Sequence, residues 1–512
     1  MENIFTKEDI NYINSKGSSV EKIKQQLDFF KQGIPKNNLV RSATVNDGIY
    51  SFTENEVDFY VDYFDKNKAH FNIEKFVPAS GAATRMFKFL NEFLNEFDIR
   101  NDTINSYINK HKAKDVSLFI FGIRNFPFYK LVKEKTVQLY PDYYSQSSDT
   151  KYYLLIKTLL SSEGLNFANQ PKGIIPFHLK EEKFLTPVEE NIIEAEFFKI
   201  QNKKTKIHFT ITQKFQPYFE KITNLFEDFD ISFSYQNQSS DALAVTDDNI
   251  PFRLEDGSLF FRPGGHGALI ENLNSLNSDF IYIKNIDNVS QNHKLIITKY
   301  KKLIGGVLLQ TQFQTFNYLR KLSEGDVTEL EIKEIKHFTE KKLAFLLPEE
   351  FNYFQKSYKV DYLIKVLNRP IRVCGIVKNE GEPGGGPFWV QDEKGRQTLQ
   401  IVETSQIDFN NKIQKDIANK AKFFNPVDIV CAIKDFQGNK FDLLQFVNEN
   451  TGFIVSKNKN GKPYKAIELP GLWNGAMAKW TTIFVEVPIE TFNPVKNVND
   501  LLKPAHQPEN NG

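Results

Sequence analysis

Cysteine is nearly absent: Cys374 and Cys431 are the two in 512 residues, and no CxxC spacing occurs. That excludes a disulfide scaffold and a thiolate zinc site. Each lies in an apolar, strand-like run (371–377 and 428–433), so both read as small core residues. Net charge is equally scarce. With 65 Lys+Arg against 64 Asp+Glu, general binding of nucleic acid or of an anionic membrane has no electrostatic basis. A small anionic substrate remains open, because a pocket needs only a few placed cations. Long apolar runs are missing too: nothing approaches the roughly 20 residues of a membrane span. The N-terminus lacks a basic stretch followed by an apolar one. Cytoplasmic residence is the expectation. Aromatic mass is what the chain has in plenty. Its 47 Phe, in a sequence that is 40% hydrophobic, suffice for a packed core and exclude global disorder.

Residues 1–70 read as a helical segment of short polar helices and turns, with a charged amphipathic stretch at 54–63. The pattern then changes. A strand at 76–79 runs into the small-residue loop Ser80-Gly81-Ala82-Ala83-Thr84-Arg85. A helix follows, with Met86, Leu90, Phe93, Leu94 and Phe97 on one face. Residues of about 100–165 and 290–367 read as helical insertions, and 170–177 as an extended segment. Thr186, Pro187 and Glu189 mark a helix start through a capping box with proline in the first turn. Strands are expected at 205–211, 231–235 and 279–284, and again through the last third at 371–378, 388–391, 398–402, 429–433 and 482–487. Strands alternating with helices define an α/β fold: a mixed sheet flanked by helices, with a smaller strand-rich C-terminal part. The domain would span 71–503, followed by a polar tail from Pro504 that frays.

Four places could carry chemistry. The 80–85 loop joins a strand to a helix, which gathers backbone N–H groups into an anion cradle, and Arg85 adds a fork for phosphate oxygens. Tight packing alone would also favour such small residues. In Pro171-Lys172-Gly173 a constrained backbone carries one point charge, or else forms an ordinary exposed turn. Three glycines surround His266 in the run from Arg262 to Ile270, so a ligand could approach the backbone closely there. Asp287, in Asn285-Ile286-Asp287-Asn288, follows a strand at the sheet edge where α/β proteins bind ligands; a carboxylate there can hold Mg²⁺ between phosphate oxygens. A helix cap or turn would use the same residues. Asp228-Phe229-Asp230 imitates a DxD metal motif, in a connection that precedes a strand.

The order of these pieces resembles the UDP-sugar pyrophosphorylases. Ala79 to Arg85 is similar to their A-G-G-x-G-T-R signature, and Pro171-Lys172-Gly173 to their P-K-G. Pro263-Gly264-Gly265-His266-Gly267 is similar to P-x-G-H/N-G, and Asp287-Asn288 to a strand-D-N motif. The run 400–407, with Glu403, resembles V-V-E-Y-S-E-I. Phe424-Asn425 resembles an F-N turn, and 487–496, ending in Lys496, resembles V-P-R-x-x-F-x-P-V-K. The matched motifs run from about 76 to 502, and the pattern is closer still to a bacterial family known as a domain of unknown function.

The resemblance implies a nucleotidyltransferase-type (Rossmann-like, GT-A-like) domain that makes a nucleotide sugar, a UDP-sugar foremost, and pyrophosphate from a nucleoside triphosphate and a sugar 1-phosphate. It gives catalytic roles to Arg85, Lys172 and Lys496, and nucleotide contacts to Gly81, Ala82, Thr84, Gln236, Gly265 and His266. Asn288, Glu403 and Asn425 would read the sugar, and Asp287 would hold Mg²⁺. The partners implied are the nucleotide and the sugar phosphate, with no nucleic acid or membrane. Gly384-Gly385-Gly386 would form a mobile sugar-side loop or a plain flexible turn. The chain departs from the pattern at Ser80 and Ala83, which replace glycines, at the long stretch between Arg85 and Pro171, and at Ile489, which replaces an arginine. A catalytically silent nucleotide-sugar binder and a sugar transferase using Asp228 or Asp230 are the other two readings.

Overall fold

The structure is a computed structural model that describes residues 4–508 except Asp326, Pro383, Glu393 and Lys394. It divides into two compact units. The first combines Met1–Glu74, Ser234–Ile283 and Tyr300–Ile489; the second combines Lys75–Phe233, Lys284–Lys299 and Glu490–Gly512.

In the first unit six strands lie side by side: Thr44–Val45, Gly48–Tyr50, Thr481–Glu486, Ile371–Lys378, Phe423–Ala432 and Phe280–Ile283. Gly48–Tyr50, Thr481–Glu486 and Ile371–Lys378 are mutually parallel, whereas Phe423–Ala432 runs antiparallel to both its neighbours. The sheet is therefore mixed, and the C-terminal ends of the parallel strands share one edge with the start of Phe423–Ala432. Seven of the eight residues of Ile371–Lys378 are buried, as a strand covered on both faces requires. Cys374 and Cys431 are fully buried in this layer, where burial pushes the Cys374 thiol up to about 11. Helices cover the sheet at close range. A Cβ on Gly305 would lie 2.1 Å from the Tyr282 hydroxyl, and one on Gly306 2.1 Å from the Tyr60 carbonyl oxygen. A second, antiparallel sheet joins Asn38–Ser42, Gly386–Gln391 and Gln397–Val402. The strands between 38 and 50 differ from the helical segment expected there. Asn38–Ser42 and Gly48–Tyr50 find partners more than three hundred residues away, in Gly386–Gln391 and Thr481–Glu486, so local pattern does not announce them.

In the second unit the strand Ile73–Pro78, from Lys75 onward, precedes Thr205–Thr210 and Phe229–Ser234 in sheet order. Five helices, Lys88–Glu96, Ile104–His111, Lys114–Gly122, Tyr129–Leu139 and Ser148–Leu160, occupy the stretch read as helical. They enclose an aromatic core in which Phe87, Phe93, Phe119, Phe126, Phe128 and Phe167 are buried, with Phe126 and Phe128 stacked at 5.3 Å. Ala83, Val289, Val495, Val498 and Leu501 belong to the same core. It thereby fixes the backbone beside Thr84, Asp287 and Lys496. The helix Pro187–Glu194 starts as expected: Thr186 and Glu189 exchange capping-box bonds, the Thr186 N–H donating to Glu189 Oε2 at 2.8 Å. Residues 170–177, expected to be extended, instead contain the 3₁₀ turn Lys172–Ile174.

The tail from Pro504, expected to fray, is tied down as far as His506, which is 2% exposed. His178 lies 2.9 Å away through its Nε2, and on its other side is 2.6 Å from Glu190 Oε1. Lys294 sits 2.9 Å from the second oxygen of Glu190. Burial and the neighbouring His178 hold His506 down to about 3, from an ordinary 6.5. Burial likewise lowers His208 to about 4. An unfolded chain would protonate both near pH 6.5 while the folded chain resists. Stability is therefore complete above that pH and declines as pH falls toward 3. Thermal denaturation from pH 7 to 4 is expected to show a falling Tm. His506→Ala should lower stability at pH 7 by about 1–3 kcal/mol, through the partner lost to buried His178, and flatten the acid slope.

Candidate functional site

Four segments of the second unit meet around one ammonium group. The Ala82–Pro171 bridge and the Lys172 N–H, donating to the Gly81 carbonyl oxygen at 3.1 Å, join the small-residue loop to the lysine turn. Lys172 Nζ donates to Asp287 Oδ2 at 2.8 Å and to the Val495 carbonyl oxygen at 2.9 Å. The Val495 N–H in turn donates to the Asp287 carbonyl oxygen at 3.1 Å. Gly173 follows because space is short: a Cβ there would press on Ile286 at 3.2 Å and Val188 at 3.3 Å.

The 80–85 loop has an open face and a packed one. Gly81, Ala82, Thr84 and Arg85 are exposed, while Ala83 is fully buried. A Cβ on Gly81 would meet nothing within 4 Å, so packing does not explain that glycine. Thr84 Oγ1 donates to the Ala168 carbonyl oxygen at 3.1 Å. Arg85 makes no ion pair among the described residues. The turn itself is 3₁₀ (Ala83–Arg85) and the α-helix begins only at Lys88, so the loop presents a short turn rather than the α-helix end expected there.

Lys496 is exposed. Its side chain passes over the Phe492 ring at 5.7 Å, and its backbone N–H donates to Asp500 Oδ2 at 2.8 Å. Asn288 is buried and used structurally: Nδ2 donates to the Thr491 carbonyl oxygen and Oδ1 accepts from the Asn493 N–H at 2.7 Å. A sugar hydroxyl reaching it would have to displace one of these bonds. Asp228 lies at the surface, paired with Lys199 at 2.7 Å, and Asp230 points outward from its strand. No group of three or more His, Cys, Asp or Glu that could hold a metal occurs among the described residues. The single carboxylate of Asp287 still suits Mg²⁺, which takes one or two protein carboxylates and completes its shell with phosphate and water.

In the first unit, Gln236 Nε2 donates to the Gly265 carbonyl oxygen at 3.3 Å, and Gly265 has a left-handed backbone with φ +70°. His266 is exposed, with its ring 5.2 Å from that of Trp473. Elsewhere in this unit Asn425 Nδ2 donates to Glu403 Oε1 at 3.3 Å, and burial raises the Glu403 carboxyl above its usual range. Asn425 Oδ1 is buried with no hydrogen-bond partner, an acceptor suited to a ligand hydroxyl. The glycine run packs closely here: a Cβ on Gly385 would lie 2.1 Å from the Val402 carbonyl oxygen. That contact speaks against a mobile loop. A cavity of about 320 Å³ at the strand edge is bordered by Ser51, Phe52, Lys378, Glu486 and Ile489, and one of about 510 Å³ in the second unit by Ile104, Phe121 and Arg124. Neither is lined by a residue given a site role from the sequence; the first is bordered by Ile489, the position that departs from the family pattern. The sequence reading also missed Trp473 and the His178–His506 pair, which no local spacing marks.

Fold and site together define a mixed α/β protein with a cationic turn joined to a strand-end carboxylate. The family model for a domain of unknown function (DUF4301) matches residues 6–507, and the chain belongs to that family. No curated protein matches it. Among solved structures the chain is similar to the uridine diphosphate N-acetylglucosamine pyrophosphorylase of Trypanosoma brucei in complex with an inhibitor: 10% identity, 98% of this chain and 82% of that chain covered, TM-score 0.49. It is also similar to the UDP-glucose phosphorylase of Trypanosoma brucei, at 13% identity, 98% and 80% coverage and TM-score 0.45. No helix among the described residues is long and apolar enough to cross a membrane.

Overpacking tests the Glu403 region. Gly385→Ala should destabilise the protein by about 1–3 kcal/mol in a urea titration, because its Cβ cannot avoid the Val402 backbone.

Proposed function

We propose that the protein is a nucleotidyltransferase that joins a sugar 1-phosphate to a nucleoside triphosphate, UTP foremost, and releases pyrophosphate. The observation that carries this reading is the bridging ammonium of Lys172, which holds the Asp287 carboxylate and the segment of Lys496 beside the open Gly81 turn. Such a cluster suits a phosphate group, and that supports the reading. In the reaction a sugar-phosphate oxygen attacks the α-phosphorus in line, a new P–O bond forms, and the bond to the β-phosphate bridging oxygen breaks. No covalent enzyme intermediate is needed, so catalysis rests on positioning and charge neutralisation.

The exposed residues Gly81 and Ala82, with open space beside Gly81, would take triphosphate oxygens on their backbone N–H groups, with Thr84 beside them. Arg85, Lys172 and Lys496 would neutralise the charge that builds on the leaving pyrophosphate. Asp287 would hold Mg²⁺, which when bound supplies a further positive charge to the phosphates. Gln236, Gly265 and His266 are assigned to base and ribose. Glu403 and Asn425 are assigned to the sugar, supported by the orphaned Asn425 oxygen; Asn288 would support its turn rather than read hydroxyls.

Pyrophosphate release from UTP and a panel of sugar 1-phosphates, with Mg²⁺, tests the reading. Lys172→Ala and Asp287→Ala should each cut turnover at least about 100-fold, the scale of one lost electrostatic contact to developing charge. Turnover at the wild-type level in both would sink the assignment. Nucleotide binding without turnover would favour a silent binder instead.

Gly81→Val makes a sharper test. It should leave stability within about 0.5 kcal/mol, since its side chain enters open space, yet weaken UTP binding measured by calorimetry.

A further inference from the structure

Two loops of the first unit close around the turn at 264–268. A Cβ on Gly264 would lie 2.5 Å from the Ser240 carbonyl oxygen, and one on Gly267 2.5 Å from the Leu469 Cβ. These glycines let the 236–240 loop and the 469–475 loop press against the turn that carries His266. The last loop brings Trp473 to His266, their ring planes inclined at 51°. Trp389 and Trp480 are each 4% exposed, whereas Trp473 keeps part of its surface open. An indole left partly in water beside an exposed imidazole offers a flat apolar surface to a planar ligand.

The loop is held from beneath by an unusual group. Arg372 is fully buried in the strand Ile371–Lys378, with no carboxylate partner among the described residues. It donates from Nη1 to the Trp473 carbonyl oxygen at 2.5 Å and from Nε to Thr482 Oγ1 at 2.9 Å, while its Nη2 has no partner. Burying a cation without a counter-charge is costly. What this one secures is the backbone position of one tryptophan. Gly475 tightens the same loop, since a Cβ there would collide with Thr451 Oγ1 at 1.8 Å.

We propose that Trp473, positioned by Arg372, is the stacking platform for the nucleobase, next to the Gln236 amide and His266. This rests on the nucleotidyltransferase reading and deepens it. A flat, amide-edged ring matches an indole face flanked by hydrogen-bonding side chains. Stacking on the face tolerates different bases, so the platform supplies affinity while the polar neighbours supply choice.

The test is a titration of the full-length protein with UMP, followed in parallel by tryptophan fluorescence and calorimetry. Ribose 5-phosphate serves as the ligand without a base. UMP should quench the emission, and Trp473→Ala should abolish the quench and raise Kd about tenfold. Trp473→Phe, which keeps a ring, should stay within about threefold of wild type with an unchanged Tm. Ribose 5-phosphate should neither quench nor respond to the substitutions. Arg372→Lys should shift the ligand-free emission to the red as Trp473 loosens. UMP affinity equal in wild type and Trp473→Ala would overturn the platform and leave the nucleotide reading standing, as would an equal loss for ribose 5-phosphate. Failure of UMP, UTP and UDP-glucose alike to bind the wild type would overturn both.

Discussion

The second unit depends on where one ammonium can sit. Lys172 Nζ satisfies a carboxylate and a carbonyl oxygen at once, and its own backbone is paired to Gly81. With 16% of its side chain and 21% of that of Asp287 exposed, the pair is partly solvated. Such a pair adds on the order of 1 kcal/mol or less to stability, so its importance lies in placement rather than strength. With it, the Asp287 turn and the 490–508 segment are joined by a charged contact as well as by the Val495 backbone bond and the Asn288 side-chain bonds. The residues around it are constrained accordingly: Gly173 because Ile286 approaches, and Val495 because it must offer both an N–H and a carbonyl oxygen.

The aromatic core makes that arrangement rigid. Ala83, Val289 and Val495 are interior residues, while Thr84 and Lys496 next to two of them face outward. Backbone alternation between a core contact and an exposed polar neighbour is a cheap way to aim side chains, because the packed residue fixes the direction of the next. The phenylalanines of this core therefore bear on the placement of these side chains as well as on stability. At the far end of the same unit, His178 and His506 fasten the chain beyond Lys496, so the lysine lies on a segment held at both sides rather than on a loose tail.

Legibility in the sequence follows the range of the interactions. The strand into the 80–85 turn, the capped helix at 187 and the strand before Asp287 were readable because hydrophobic period, cap and turn are encoded within a few residues. Asn38–Ser42 and Gly48–Tyr50 were not, since they pair with residues near 390 and 485. Nor was the role of His506, whose partner is 328 positions away. Arg372 shows the limit most sharply. In an apolar run it looks like a defect, and its acceptors come from residues more than a hundred positions away, the Thr482 hydroxyl and the Trp473 carbonyl oxygen.

The altered glycines change meaning in three dimensions. A loss at Ser80 and Ala83 looks like damage to a phosphate loop when the letters are compared. Yet Ala83 has no exposed surface and fills the aromatic core, where a methyl group is favourable and a glycine would leave a gap. Ser80 lends its carbonyl oxygen to the Thr212 hydroxyl at 3.2 Å, so its backbone is anchored from the adjacent strand end. The glycine that remains, Gly81, is the position whose missing side chain leaves open space. A loop under selection for packing alone would be free to fill that space, since a methyl group there would cost neither contacts nor backbone strain. Keeping it empty is what a ligand requires. The substitutions therefore reinforce the inner side of the turn and leave its outer side clear, which is the geometry the proposed phosphate contact needs.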